Sequence, residues 1–129
     1  MKRFVETEIA TMWIEKDILF FIWKEQAYID LSGAKKVVAQ RIRLQQGRPY
    51  HILCSLKGLK NVDKDAWRYL ANEGTGLIKC LVLVATTPLE QAFSKFIITK
   101  ISTVSTQVFE DIKEAERFIV HNLYSAKSK

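Results

Sequence analysis

The chain has few cysteines and no apolar run long enough to cross a membrane, and each shortage excludes a class of protein. Its two cysteines, Cys54 and Cys80, stand far apart in apolar stretches, without a Cys-x-x-Cys motif or the histidine spacing of a zinc site. We expect them to be reduced thiols in the core. A bilayer-spanning helix needs roughly 20 apolar residues, and no stretch approaches that length. The sequence therefore predicts no metal, no cofactor and no transmembrane segment.

The pattern of the first residues is not that of a secretory signal. Residues 1–8 contain no apolar segment followed by a small-residue cleavage site. A cytoplasmic protein is therefore expected. The 129 residues, of which 48% are hydrophobic and 26% charged, have the size and composition of one globular domain. We expect a single domain over residues 1–129, with its core at about 8–123 and a frayed tail at 125–129.

One region of the chain contains no acidic residue. Residues 31–62 hold only basic charges, at Lys35, Lys36, Arg41, Arg43, Arg48, Lys57 and Lys60. Since these seven account for more than the total charge of +6, the rest of the chain is close to neutral. Such a region suggests an anionic partner. The alternative is a solvated basic helix face that only keeps the protein soluble.

The first part of the chain predicts a hairpin and a helix. Residues 9–15 and 18–24 have the pattern of two strands, joined by a short turn at 16–17. The second strand is apolar on both sides, so both of its faces need cover. Asp30 can cap a helix that ends with Gly47 as a left-handed C-cap. A spacing of three and four places one set of its residues inward: Leu31, Ala34, Val37, Val38, Arg41 and Ile42.

A strand, a turn and a helix follow between residues 50 and 74. The apolar run 52–56 is stopped by Lys57 and Gly58. Asp63 then offers an N-cap to an amphipathic helix that ends near Gly74.

The remaining elements alternate in the same way. Residues 78–85 predict a strand that is buried on both faces, and Thr87 to Glu90 form a capping box with proline at the first helical position. A short strand at 107–109 leads to a last helix capped by Asp111. This order predicts an α/β fold: a mixed sheet of four to five strands, beginning with an antiparallel hairpin and continuing with parallel strands, packed with about four helices.

No group of residues assembles an enzyme site. The Gly74-Thr75-Gly76 segment ends a helix and opens a strand, which is the reverse of a phosphate-binding loop. Asp63 and Asp65 both fall in a first helical turn, where carboxylates cap backbone amides. The histidines, at 51 and 121, lie in different elements, and no serine or cysteine has a nucleophile setting. A non-catalytic protein is predicted.

The aromatic residues allow two interpretations. They either line a pocket for an apolar ligand or pack in the core, and the candidates are Trp13, Trp23, Trp67, Phe93 and Phe96. Single-stranded nucleic acid also binds surfaces where basic and aromatic residues alternate, but the sequence has no RNP-type strand and no helix-turn-helix. Nucleic acid is therefore not an expected partner.

Residues 56–67 resemble the signature of the STAS domain, the family of sulfate transporters and anti-sigma-factor antagonists. In that family a buried strand ends in a leucine-serine-glycine-like turn, followed by an aspartate, a phosphorylatable serine or threonine, and a helix. Gly58 and Asp63 match this pattern. Lys64 stands where the phosphoacceptor belongs, and Ala66 where glycine is usual. The resemblance therefore implies the fold without its phosphorylation switch.

The similarity extends over about residues 8–119 and is closest to bacterial single-domain STAS/SEC14-like proteins of unassigned function. It is carried by the initial hairpin, the helix after Asp30, the Arg48-Pro49-Tyr50 segment and the closing residues 114–118. What it implies is an α/β fold used for docking proteins or for binding apolar and nucleotide ligands. Such partners meet α/β proteins in the crevice between a strand end and the next helix.

This crevice gives a candidate surface for a protein partner or a ligand, formed by Lys57, Gly58, Lys60, Asp63, Lys64 and Trp67. Its lysines favour an acidic protein. The leading hypothesis is a non-catalytic interaction module with a regulatory role. The alternative is a carrier or sensor of a small apolar or anionic ligand, enclosed by the hairpin and the helix face at 93–97. A homodimer formed through an exposed hairpin edge is a further expectation.

Overall fold

The structure is a computed structural model that describes residues 3–25, 27–101 and 103–127, with side chains up to residue 123. Its strands are β1 (Arg3–Glu6), β2 (Ala10–Glu15), β3 (Ile18–Trp23), β4 (Ala27–Ile29), β5 (Tyr50–Ser55), β6 (Leu59–Val62), β7 (Ile78–Val84) and β8 (Ser105–Phe109). Its helices are α1 (Leu31–Gln45), α2 (Lys64–Asn72), α3 (Pro88–Lys100) and α4 (Ile112–Lys127).

Six strands form the main sheet, in the order β1-β2-β3-β5-β7-β8. The first three pair antiparallel, and β3, β5, β7 and β8 pair parallel. The turn between β2 and β3 consists of Lys16 and Asp17, both with positive φ, as a type I′ hairpin turn requires. The predicted mixed α/β sheet is therefore confirmed, although it has six strands rather than four to five.

Strand β1 accounts for one of the additional strands and corrects the expectation of an exposed hairpin edge. It pairs with β2 from Arg3 opposite Ile14 to Glu6 opposite Thr11. On its other side the hairpin pairs with β5. The hairpin therefore has no free edge for a second copy. Strand β1 has only four residues, two charged and two apolar, which is too few to show a strand pattern in the sequence. It is a strand because β2 provides hydrogen-bond partners.

A second, two-stranded parallel sheet was also not predicted. It joins β4 and β6, which contain three and four residues. In β6 the burial pattern is buried, exposed, exposed, buried, which breaks the alternation typical of a strand. Strand β6 follows β5 and leads into α2. The small sheet therefore positions the predicted surface at residues 57–67.

Helices cover both faces of the main sheet. Helices α1, α2 and α3 contribute to the larger core, together with inward residues of β2, β3, β5 and β7. Helix α4 covers the opposite face through Ala115 and Ile119, which pack with Ile18, Leu53 and Val82. This arrangement explains why β3 and β7 are apolar on both sides. No helix among the described residues has the length and apolar character needed to span a bilayer.

The predicted helix starts at Asp30, Thr87 and Asp111 are confirmed. The Asp111 carboxylate accepts a hydrogen bond from Lys113 N at 3.0 Å, directly after the start of α4. The Asp30 carboxylate accepts a hydrogen bond from Gly33 N at 2.7 Å. At α3, Thr87 Oγ1 accepts from Glu90 N at 3.2 Å, and Glu90 Oε1 accepts from Thr86 N at 2.9 Å. The Thr87 hydroxyl thus satisfies one amide donor of the first helical turn, and the Glu90 carboxylate reaches back to the amide of the residue before the N-cap. The frayed tail at 125–129 stays a prediction, because α4 is described only to Lys127.

Candidate functional site

The turn after β5 places part of the predicted surface beside the small sheet. Gly58 has a φ of 93°, and its carbonyl oxygen accepts from Ala27 N at 3.0 Å. A Cβ at this position would lie 2.7 Å from Lys24 O, so only glycine fits without a shift of backbone. Lys57 precedes this turn and Lys60 follows it on β6, and both are exposed.

Asp63 is positioned at the start of α2 but does not cap it. Its backbone occupies the N-cap position, yet its side chain makes no capping hydrogen bond. The carboxylate instead accepts from the Tyr28 hydroxyl at 2.5 Å. This hydrogen bond and the nearby negative charge raise the pKa of Tyr28. The expectation that Asp63 caps the helix amides is therefore wrong, because its carboxylate is directed to Tyr28 on β4 instead.

A groove runs between α2 and α3 on the surface of the protein. It has a volume of about 550 Å³ and is lined by Val62, Lys64, Trp67, Arg68, Ala71, Asn72, Phe96 and Lys100. We call it the basic groove. Two aromatic residues of the lining, Trp67 and Phe96, form its floor, and their ring centroids are 4.9 Å apart. Lys100 Nζ lies 5.4 Å from the Phe96 ring centroid, within the range of a cation–π contact.

The charge of the basic groove is positive. Lys64, Arg68 and Lys100 line it and are all exposed. Arg68 Nη1 also lies 3.7 Å from the Asp65 carboxylate one turn earlier, which partly offsets its charge. Two like charges from different helices therefore flank an aromatic floor, with a third nearby.

The structure brings together only part of the predicted surface. Lys64 and Trp67 line the basic groove, whereas Lys57, Gly58, Lys60 and Asp63 lie outside its lining. Sequence reasoning missed Arg68 and Lys100. Arg68 could have been found from its spacing of four from Lys64, which places both on one side of α2. Lys100 had no such signal, because it reaches the groove from another helix.

A second space, the apolar cavity, lies between the sheet and helices α1, α2 and α3. Its volume is about 100 Å³. The lining consists of Phe21, Trp23, Val37, Val38, Arg41, Ile52, Cys54, Leu56, Leu59, Val62, Trp67, Leu70, Gly74, Ile78, Leu81, Leu83, Ile97 and Ile101. Two of the five predicted pocket aromatics are among these residues. Trp13 instead stacks on Phe20 on the opposite face of the sheet, with ring centroids 5.1 Å apart.

Arg41 is the charged residue of that cavity. It is 4% exposed, as its spacing on α1 predicts, so it does not belong to a solvated basic helix face. The neighbouring Ile42, expected to face inward, is instead 38% exposed. The guanidinium donates to the Gln45 side-chain oxygen and, at 2.9 Å, to Gly74 O. Gln45 in turn donates to Leu77 O at 2.8 Å. This network fastens α1 to the segment between α2 and β7.

The two cysteines and His51 also have shifted pKa values. Burial raises the pKa of Cys54 to about 12 and also raises that of Cys80. Burial and the charge of Lys79 lower the pKa of His51. Among the described residues no cluster of three or more histidine, cysteine, aspartate or glutamate side chains could hold a metal ion.

Comparison with known proteins identifies the family. Residues 12–122 match the family described as "Domain of unknown function (DUF7793)". The chain belongs to the DUF7793 family. A solved structure similar to this DUF7793 chain is an uncharacterised protein of the DUF3478 family with a SpoIIAA-like fold from Shewanella loihica PV-4. The two share 13% sequence identity over 89% of this chain and 98% of the other, with a TM-score of 0.66.

The likeness assigns the fold. At this identity it supports the SpoIIAA-like, STAS-type architecture that residues 56–67 resemble, and nothing about activity. No curated protein matches the sequence. The function of this DUF7793 chain has to be argued from its own residues.

Proposed function

We propose that this DUF7793 chain is a non-catalytic protein-interaction module whose basic groove docks an acidic segment of another protein. The observation that carries the proposal is the pairing of exposed cations with an aromatic floor in one open groove. An acidic segment would neutralise the cations while one of its apolar side chains packs against Trp67 and Phe96.

Charge complementarity favours a protein segment of this kind. Lys64 and Lys100 line the groove from different helices, so an acidic segment that lies in the groove can contact both. Opposite potentials on the two partners steer association and fix its register. The aromatic floor supplies binding energy, because aromatic residues at the centre of an interface contribute much of its affinity.

Lys64 would make this module differ from an interaction module that is controlled by phosphorylation. In the resemblance to STAS domains it occupies the phosphoacceptor position, and its side chain lines the groove. A phosphate there would add a charge of roughly −1.5 to −2 and repel an acidic partner. A fixed lysine keeps the groove permanently attractive to acidic sequences. We therefore expect docking without prior modification of this chain.

A peptide-display selection on the intact protein tests the proposal. The double variant Lys64→Glu/Lys100→Glu removes the two cations of opposite walls. A matched control, Lys35→Glu/Lys36→Glu, makes the same change in net charge at two exposed residues of α1 outside the groove. Peptides selected on the wild-type chain should be acidic with an aromatic or large aliphatic residue. They should bind the groove variant at least about tenfold more weakly and the control almost unchanged.

A second readout locates the peptide. A photo-crosslinking amino acid at Ala71, a residue of the groove lining, should capture the selected peptides, and one at Lys113 on α4 should not. Equal losses in both charge variants would mean that only net charge attracts the peptide. Enrichment of basic or purely apolar sequences, or equal crosslinking from α4, would contradict docking in the basic groove.

A further inference from the structure

Arg41 is a buried cation next to an apolar cavity, and no carboxylate among the described residues forms an ion pair with it. Its side chain is 4% exposed, and its two hydrogen bonds are to the neutral oxygens of Gln45 and Gly74. In the part of the chain that the structure describes, the ion pairs involve Lys24, Arg48 and Arg68 but not Arg41. A guanidinium carries five N–H donors, so these two acceptors leave part of its donor capacity for another group.

The charge of Arg41 persists at neutral pH. Burial lowers the pKa of its guanidinium to about 10, which still leaves it protonated. The thiol of Cys54 lines the same cavity, but burial raises its pKa to about 12, so it is neutral and cannot supply the missing anion. A buried charge without an opposite charge is unfavourable unless something compensates it.

The remaining walls of the cavity select an apolar molecule. Apart from Arg41 and Cys54, the lining side chains are aliphatic or aromatic, and they include Trp23, Leu81 and Leu83. We propose that the apolar cavity binds a small apolar carboxylate, with the carboxylate paired to Arg41 and the hydrocarbon part packed between the sheet and α2. The cavity and the basic groove would hold different occupants, although Val62 and Trp67 line both spaces.

The size of the cavity limits the ligand. Its volume is about 100 Å³. An engineered apolar cavity of about 150 Å³ in another protein admits benzene. A hydrocarbon part of about four or five carbons therefore fits best. Helix α2 contributes Trp67 and Leu70 to the lining, and its fully buried residue is Ala66.

The single charge of Arg41 favours a carboxylate over a phosphate. A carboxylate carries one negative charge and matches the planar guanidinium with two parallel hydrogen bonds. A phosphate monoester carries roughly −1.5 to −2 at neutral pH. Its surplus charge would remain buried among apolar side chains.

Titration calorimetry and amide chemical shifts on the full chain test the site with a pair of nearly isosteric probes. Pentanoate and pentanamide differ mainly in charge. Pentanoate should bind at least about tenfold more tightly, because hydrogen bonds to a charged partner are stronger than those to a neutral one. Its shifts should fall on α2 and on the inward residues of β5 and β7. Equal binding of the two probes, or no binding of pentanoate at about 10 mM, would overturn the proposal.

Two variants separate the charge from the space. Arg41→Gln removes the charge, and Val38→Phe fills the cavity from the same helix while Arg41 stays in place. Both should lose pentanoate binding by at least about tenfold, and Arg43→Gln, an exposed arginine of the same helix, should not. Pentanoate binding that survives in a folded Val38→Phe chain would place the ligand elsewhere and refute the site. If Arg41→Gln does not fold, the probe pair and Val38→Phe still decide.

Discussion

Replacing Gly58 by alanine should destabilise the protein through two separable effects. The first is conformational, because the φ of 93° lies where side chains are disfavoured, at a cost of about 1–2 kcal/mol. The second is steric, because the new Cβ would lie 2.7 Å from Lys24 O and 2.9 Å from Lys24 C. Both of these atoms belong to the backbone, so the turn or the chain at Lys24 must move, at about 1–3 kcal/mol.

The two effects together lower the free energy of unfolding by about 2–5 kcal/mol. For a chain of 129 residues this corresponds to a fall in melting temperature of roughly 7–18 °C. Urea denaturation gives the free energy, and calorimetry gives the melting temperature. Hydrogen exchange at the Ala27 amide should also accelerate, since this amide donates to Gly58 O at 3.0 Å.

Gly47→Ala serves as the matched control. Gly47 also has a positive φ, of 79°, but no heavy atom lies within 4 Å of an added Cβ. Its replacement should therefore show the conformational cost alone, about 1–2 kcal/mol. Equal destabilisation by the two substitutions would mean that the contact with Lys24 is not tight, and the steric part of the reasoning would fail.

Three further predictions concern caps, thiols and the Tyr28 contact. Thr87→Ala should lower the free energy of unfolding by about 0.5–2 kcal/mol in urea titrations, because it removes the N-cap of α3, whereas the exposed Thr99→Ala should change it by less than about 0.5 kcal/mol. Cys54 should react with a thiol reagent only after unfolding, because its thiolate is suppressed by a pKa raised to about 12, and rapid labelling of the native chain would contradict this. Asp63→Asn should lower the pKa of Tyr28 in an NMR titration, since the carboxylate raises it, and an unchanged pKa would exclude the contact.

The elements with a distinct apolar pattern or capping motif were predictable from the sequence. Strands β3 and β7 are apolar on both alternating faces, and α3 begins with a complete capping box at Thr87. Strands β1, β4 and β6 have three or four residues each and too few apolar positions to show a period. They become strands only because a neighbouring strand offers hydrogen bonds, which is tertiary information.

The candidate sites were predictable to the extent that they lie on one element. Lys64 and Trp67 are three residues apart on α2, so their side chains project on the same side. Arg41 presented two conflicting signals, since its spacing pointed inward and its charge outward. The decision depends on Gly74 O, which accepts its hydrogen bond from 33 residues away. A sequence pattern within α1 cannot predict a hydrogen-bond acceptor that lies this far along the chain.

The two proposed sites share a wall, so their occupants cannot be independent. Trp67 and Val62 line both the basic groove and the apolar cavity. Helix α2 thus separates a peptide in the groove from a carboxylate in the cavity by a single layer of side chains. A carboxylate that displaces α2 also moves Trp67 against Phe96, which forms the groove floor. Coupling between two binding equilibria is reciprocal. If the carboxylate changes the affinity for the peptide by a given factor, the peptide therefore changes the affinity for the carboxylate by the same factor.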